Sequence, residues 1–220
     1  WGGYFFYHNR LHRNYQDDIS LHYYLLASKD GITIGKRYFK HENNKEDYPF
    51  SPSGHNLYDN NSKLYYCRDF DNIVYQIHED SVVPRFRINL PNPLPASMIE
   101  GRPNEMSLLR SGYSLGITDI YEYGGLLFFR FVKDGYIWSC LYNVEESKQV
   151  YCAKRIKFLD SSLIDTIDGI YKDCFYSILT PEYLDYAFSE NPLEDYPDLF
   201  KTYDVEGDNP VIAFYRAVVR

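Results

Sequence analysis

Residues 112–116 read Gly-Tyr-Ser-Leu-Gly and match the G-x-S-x-G pattern that presents a nucleophilic serine in hydrolases. That pattern requires a strand before the serine and a helix after it. Here the helix-like residues 107–109 precede Ser114, and the strand-like residues 117–121 follow it. Because this order is reversed, we interpret the segment as a turn entering a strand, with glycines where the backbone needs room.

Histidines are the next candidates, since imidazole is a frequent metal ligand. The chain has six, at positions His8, His12, His22, His41, His55 and His78. The first two are four residues apart, as in a helical metal site, but they fall in a strand-to-turn region where this spacing does not bring both to one face. No H-E-x-x-H pattern is present. The histidine pattern therefore assigns no metal site.

Residues 69–72 read Asp-Phe-Asp-Asn, with alternating side-chain oxygens similar to those of a calcium-binding loop. The segment lacks the glycine at the sixth position and the glutamate at the twelfth that such a loop uses. Asp and Asn side chains also stabilise tight turns by bonding to nearby backbone groups. We interpret this segment as a tight turn.

The four cysteines have no C-x-x-C spacing, which disfavours zinc binding and thioredoxin-type chemistry. All four lie in apolar, strand-like segments: Cys67, Cys140, Cys152 and Cys174. Buried free thiols suit such positions. Alternatively, the middle two fall on neighbouring strands and could lie nearly opposite each other, in which case a disulfide is conceivable and a periplasm would tolerate it. Both alternatives remain open.

Tyrosines with polar neighbours could line a groove for a sugar or a peptide. The clearest groups are residues 23–24, 65–66 and 121–123. Strand alternation, however, turns about half of such side chains towards the packed interior. For any single tyrosine, we therefore favour packing in the core over ligand contact.

Composition limits the functional classes. The 220 residues carry a net charge of −8, which disfavours non-specific nucleic-acid binding, because that depends on Lys and Arg neutralising phosphates. No run of about 18 apolar residues could cross a membrane as a helix. Aromatic residues reach 18% of the chain, which favours strands.

Three segments share one outline of aromatic-rich strands separated by short polar turns, and a fourth follows it less regularly. Their strands begin near Tyr4, Leu64, Leu126 and Cys174, roughly 50–60 residues apart, which is close to the ~40–50 residues of a propeller blade. Asp-Gly pairs at residues 30–31 and 134–135 predict hairpins. The pattern predicts an all-β fold, a β-propeller of antiparallel blades. The expected blades are residues 1–50, 51–95, 110–160 and 165–220, in a single domain or the C-terminal part of one.

Two segments interrupt this pattern. Residues 91–112 read as a proline-rich connection followed by a short helical turn. Residues 181–203 read as helical, because Thr180 can cap a helix and Pro181 suits its first position. Between residues 181 and 209 only Lys201 opposes nine acidic side chains, at positions Glu182, Asp185, Glu190, Glu194, Asp195, Asp198, Asp204, Glu206 and Asp208. We interpret this stretch as a solvated insertion, and alternatively as an acidic docking surface.

Several phrases in a fixed order resemble the six-bladed β-propeller lipoprotein family of Bacteroidetes. They are Lys-Asp-Gly at 29–31, Phe-Ser-Pro at 50–52, Leu-Tyr-Tyr at 64–66, residues 71–77, the acidic pair 79–80, Pro84, residues 112–131 and the closing phrase at 207–212. About four blades fit this length. The resemblance therefore implies that two more blades, and a signal peptide ending in a lipidated cysteine, lie upstream of Trp1. It also implies a periplasmic or outer-membrane location.

We therefore expect a non-enzymatic binding or scaffold propeller of a bacterial cell envelope, which recognises a glycan, a peptide or a partner protein. Loops at one end of a propeller's central channel are suited to such binding. The alternative is a propeller-type lyase, lactonase or glycosidase whose site is completed by residues upstream of this chain. The sequence assigns no catalytic, metal-binding or cofactor-binding residue, and we expect no cofactor and no nucleic-acid partner.

Overall fold

A computed structural model describes residues 3–9, 23–40, 52, 55–100, 103–154, 167–190, 202–204, 206–207 and 209–216. Within these residues the chain forms four β-sheets, each built from strands that are neighbours in the sequence. The three-stranded sheet 1 contains β1 (Phe5–His8), β2 (Tyr23–Ser28) and β3 (Ile34–Lys40). The four-stranded sheet 2 contains β4 (Leu57–Asn60), β5 (Lys63–Cys67), β6 (Ile73–Ile77) and β7 (Val82–Arg87).

Sheet 3 is four-stranded and sheet 4 is three-stranded. Sheet 3 contains β8 (Ser114–Tyr123), β9 (Leu126–Lys133), β10 (Tyr136–Asn143) and β11 (Lys148–Ala153). Sheet 4 contains β12 (Gly169–Tyr171), β13 (Cys174–Leu179) and β14 (Val211–Tyr215). Antiparallel meanders of this kind make an all-β propeller fold, as the sequence predicts.

Three short helices complete the described elements: α1 (Ala96–Glu100), α2 (Glu105–Leu109) and α3 (Pro181–Glu190). The proline-rich connection therefore contains a helical turn, α1, that the sequence pattern did not predict, in addition to the predicted α2. Asn104 caps α2 by accepting a hydrogen bond from the Ser107 amide, 2.8 Å away. In the part of the chain that the structure describes, no helix is long and apolar enough to cross a membrane.

The predicted helix over residues 181–203 is only partly correct. α3 ends at Glu190, and residues 202–203 are not helical. Residues 191–201 lie outside the described residues.

The chain divides into two compact units. Unit 1 comprises residues 1–120 and 131–136, and unit 2 comprises residues 121–130 and 137–220, so the residues of β8, β9 and β10 are divided between the two. Unit 1 has one apolar cluster around Leu25, Tyr66 and Ile77 and another around Leu108 and Leu115. In unit 2, Leu184 and Ala187 of α3 pack on Leu179 of sheet 4.

Candidate functional site

Ser114 of the hydrolase-like motif is buried at the first position of β8. Its hydroxyl donates a hydrogen bond to the Pro91 carbonyl, and its amide donates to the Asn92 carbonyl at 2.8 Å. The Ser114 carbonyl accepts from the Leu94 amide at 3.1 Å. These three hydrogen bonds hold the proline-rich connection against β8. Ser114 therefore has a structural role.

The carboxylates of the calcium-like segment bond to groups of the protein itself. Asp71 accepts hydrogen bonds from Nε and Nη2 of Arg68 at 2.9 and 2.6 Å, and from the amides of Asn72 and Ile73 at 2.7 and 3.1 Å. Asp69 accepts from the Asn56 side-chain amide at 3.0 Å. These are the contacts of a tight turn. No cluster of three or more His, Cys, Asp or Glu side chains suited to a metal ion occurs among the described residues.

The two motifs meet each other in unit 1. The Ile117 amide donates to the Asp71 carbonyl at 3.0 Å, and the backbone of Gly116 lies against that of Phe70. The hydrolase-like motif and the calcium-like segment thus form the contact between sheet 2 and β8.

Three of the six histidines, at positions 12, 22 and 41, lie outside the described residues. His8 shares a hydrogen bond of 3.1 Å between its Nδ1 and the Tyr66 hydroxyl, and burial raises the pKa of Tyr66 well above its usual value. His78 lies at the end of β6, where its amide donates to the Ser81 carbonyl at 2.8 Å. His55 belongs to the polar cluster described below.

The structure contains a disulfide between Cys140 and Cys152, which are directly paired on β10 and β11. Of the two alternatives for this pair, the disulfide is therefore the one observed. Cys67 is a buried free thiol that donates to the Ile73 carbonyl at 3.4 Å, and burial raises its pKa. Cys174 is free and partly exposed.

The burial of the tyrosine groups does not follow strand alternation, because β5 is covered on both faces and its consecutive tyrosines are both buried. Tyr65, Tyr66 and Tyr121 are buried in the packed interior. Tyr23 and Tyr24 are only half-buried, as is the rest of the 121–123 group.

A polar cluster, mostly buried and not predicted from the sequence, lies where β4 approaches β8 within unit 1. The Tyr58 hydroxyl donates to the His55 carbonyl at 2.6 Å and accepts from the Asp119 amide at 3.1 Å. The buried Asn60 side chain donates to the Ile120 carbonyl at 3.1 Å. We call His55, Tyr58, Asn60 and Asp119 the β4–β8 polar cluster.

Asp119 is the most unusual member of this cluster. It lies in the middle of β8 with a φ of +52°, a conformation that costs a non-glycine residue free energy and that often accompanies function. Its side chain is 11% exposed, and its Oδ1 lies 4.0 Å from Nε2 of His55, whose side chain is 55% exposed. The His55 ring packs on the Tyr58 ring with centroids 4.7 Å apart. A buried carboxylate thus stands beside an accessible imidazole.

Asp119, the one charged residue between positions 115 and 121, was the signal that could have identified this site. Its positive φ and its contact with Tyr58 depend on a residue 61 positions away. No local pattern encodes that pairing.

Comparison with known proteins agrees with the architecture. The chain is similar to the crystal structure of a candidate exported protein from Bacteroides fragilis, with a TM-score of 0.72 at 16% sequence identity. That similarity covers 95% of this chain and 61% of the other, so this chain spans about three-fifths of that protein. No curated protein matches the chain. Residues 2–162 match the model of the DUF5128 family, described as a 6-bladed beta-propeller, and the chain therefore belongs to that family.

Proposed function

We propose that this chain is part of a non-enzymatic binding propeller of a bacterial cell envelope, and that the β4–β8 polar cluster contacts its ligand. The ligand is a glycan, a peptide or a segment of a partner protein. The observation that carries this proposal is the exposed His55 imidazole beside the buried Asp119 carboxylate. Together they offer a hydrogen-bond donor and an acceptor at one place.

The cluster has the chemical character of a recognition site. A carboxylate accepts hydrogen bonds from hydroxyl or amine groups, and the His55 and Tyr58 rings add flat apolar surface next to it. Binding sites combine apolar surface with a few such convergent polar groups. Since the hydroxyl of Tyr58 is held by the backbone of both His55 and Asp119, this geometry is fixed before a ligand arrives.

Location in the periplasm or as an outer-membrane lipoprotein belongs to the same proposal. The disulfide between Cys140 and Cys152 supports it, because disulfides persist in oxidising compartments. The resemblance to the Bacteroidetes lipoproteins and the similarity to a candidate exported protein support it further. We also propose that each of the four sheets is one blade of a single propeller.

The test is a binding screen against immobilised glycans and peptides, with the His55→Ala and Asp119→Asn variants beside the unmodified protein. Asparagine tolerates positive φ, so the second variant removes charge without adding backbone strain. Matched controls are His78→Ala and Asp59→Asn, the latter on the same strand as Tyr58 but exposed. Saturable binding that is lost in the first pair and kept in the controls supports the proposal. Absence of binding, or equal loss in all four variants, contradicts it.

An enzymatic role is the second candidate, and the same histidine–carboxylate pair favours it. Such pairs act in general acid–base catalysis, and catalytic hydrogen bonds often tighten only with substrate bound. Mass spectrometry of bound ligands after incubation separates the two candidates. Chemical conversion that His55→Ala abolishes would establish an enzyme, whereas recovery of intact ligand supports a binding protein.

A further inference from the structure

Sheet 4 of unit 2 has two apolar faces, of which one is covered. On the covered face, Phe175, Ser177 and Leu179 of β13 are buried, and α3 packs there through Leu184 and Ala187. Alternation along a strand sends the residues between them to the opposite face. These alternate residues lie on the face of sheet 4 that α3 does not cover.

The opposite face presents large apolar side chains in a continuous arrangement. We call it the β12–β14 outer face. Its prominent members are about half-exposed: Tyr171 at 53%, Ile178 at 47%, Ile212 at 55% and Phe214 at 53%. Ile178 is directly paired with Ile212, and Tyr176 with Phe214, so these side chains adjoin across the strands. The Phe214 ring lies 5.9 Å from that of Tyr171 and 6.4 Å from that of Tyr176.

A contiguous apolar face of this kind often has a function. Four side chains of roughly 200 Å² each, half-exposed, leave on the order of 400 Å² of mainly apolar surface, a size that commonly marks an interaction site. The charges lie at the rim, where the Arg216 guanidinium pairs with Asp173 at 2.6 Å and Lys172 stands over the Tyr171 ring. An apolar centre with a charged rim fits a partner that is itself a flat apolar sheet.

The family provides a second observation. Its members are six-bladed propellers, whereas the described residues of this chain form four sheets, and the chain spans 61% of its structural neighbour. We infer that the β12–β14 outer face packs against a further antiparallel sheet of the same propeller, supplied by polypeptide outside residues 1–220. The face is thus a seam between blades, and its aromatic residues interdigitate with that sheet.

Hydroxyl-radical footprinting tests this inference without altering the fold. The protein expressed from its whole gene is compared with the 220-residue chain. Tyr171 and Phe214 are expected to be labelled several-fold less in the whole product, whereas the exposed Tyr186 on α3 serves as a reference whose labelling stays the same. Equal labelling of the two outer-face residues in both proteins overturns the inference. So does a gene product that contains no polypeptide beyond residues 1–220.

A second measurement tests whether the β12–β14 outer face packs against another blade of the same protein or against a second copy of the chain. Ile212→Lys in the whole product is expected to lower Tm by several degrees while the protein stays monomeric in sedimentation, because a charge enters a packed seam. Val150→Lys, a similarly exposed aliphatic residue on β11, is the matched control and leaves Tm unchanged. The inference is overturned if the whole product is a dimer and Ile212→Lys converts it to a monomer without changing Tm. That result would assign the face to self-association.

Discussion

The backbone of Gly116 lies directly against that of Phe70, so that a Cβ on Gly116 would lie 2.6 Å from the Phe70 Cα. Both residues have positive φ, +98° at Gly116 and +60° at Phe70. The Phe70 ring packs with the apolar cluster around Leu108 and Leu115. The tight turn at Phe70 thus packs directly against β8, and this contact leaves no room for a side chain at Gly116.

Gly116→Ala is expected to lower the free energy of unfolding by about 3 kcal/mol or more, because the new Cβ meets main-chain atoms and the φ is strained as well. Gly124→Ala is the matched control. Its φ of +57° imposes strain but no atom lies within 4 Å, so a loss of about 1–2 kcal/mol is expected. Urea denaturation measures both. Equal losses in the two variants would show that the contact with Phe70 contributes nothing.

Tyr58→Phe tests whether the phenol organises the β4–β8 polar cluster. The substitution preserves volume but removes the acceptor of the Asp119 amide and the donor to the His55 carbonyl. A buried amide left without an acceptor costs about 1–3 kcal/mol, which is the expected loss of unfolding free energy. Tyr186→Phe, at an exposed position, should cost almost nothing. A Tyr58→Phe protein as stable as the unmodified one contradicts the assigned hydrogen bonds.

The strands and hairpins could be predicted because their signals are local. Asp134 and Gly135 both have positive φ, +55° and +73°, as the two-residue turn between β9 and β10 requires. At the other Asp-Gly pair, the Asp30 carboxylate accepts hydrogen bonds from the amides of Thr33 and Ile32. These bonds close a longer loop and lower the pKa of Asp30.

The candidate site could not be predicted because its contacts are not local. Asp119 reaches Tyr58, and Asn60 reaches Ile120, across about 60 residues of sequence. Nothing in either segment alone requires the positive φ of Asp119. The calcium-like and hydrolase-like motifs show the converse, since their residue types suggested chemistry and the fold uses them to join sheet 2 to β8.

The Cys140–Cys152 disulfide is expected to stabilise the chain by about 3 kcal/mol, since it closes a loop of 12 residues in the unfolded state. The Cys140→Ala/Cys152→Ala variant should lose about that much unfolding free energy, measured by urea denaturation under oxidising conditions. Cys174→Ala, which removes a free thiol, is the control. Alkylation of the denatured, unreduced protein should modify two cysteines, and modification of all four would contradict the bond.

Alkaline pH is expected to destabilise the protein through the phenols of Tyr66, which is buried, and Tyr215, which is partly buried. Burial raises the pKa of Tyr215 to about 12 and that of Tyr66 further, whereas in the unfolded chain both titrate near 10. Below pH 10 both states keep these protons, so their contribution to stability is constant. Above it the unfolded state releases them first, and the unfolding free energy falls as pH rises. Tyr66→Phe should flatten this decline between pH 10 and 12, and Tyr186→Phe should not. Phenolate absorbance that develops fully near pH 10, while circular dichroism still reports the folded state, would contradict the burial of both tyrosines.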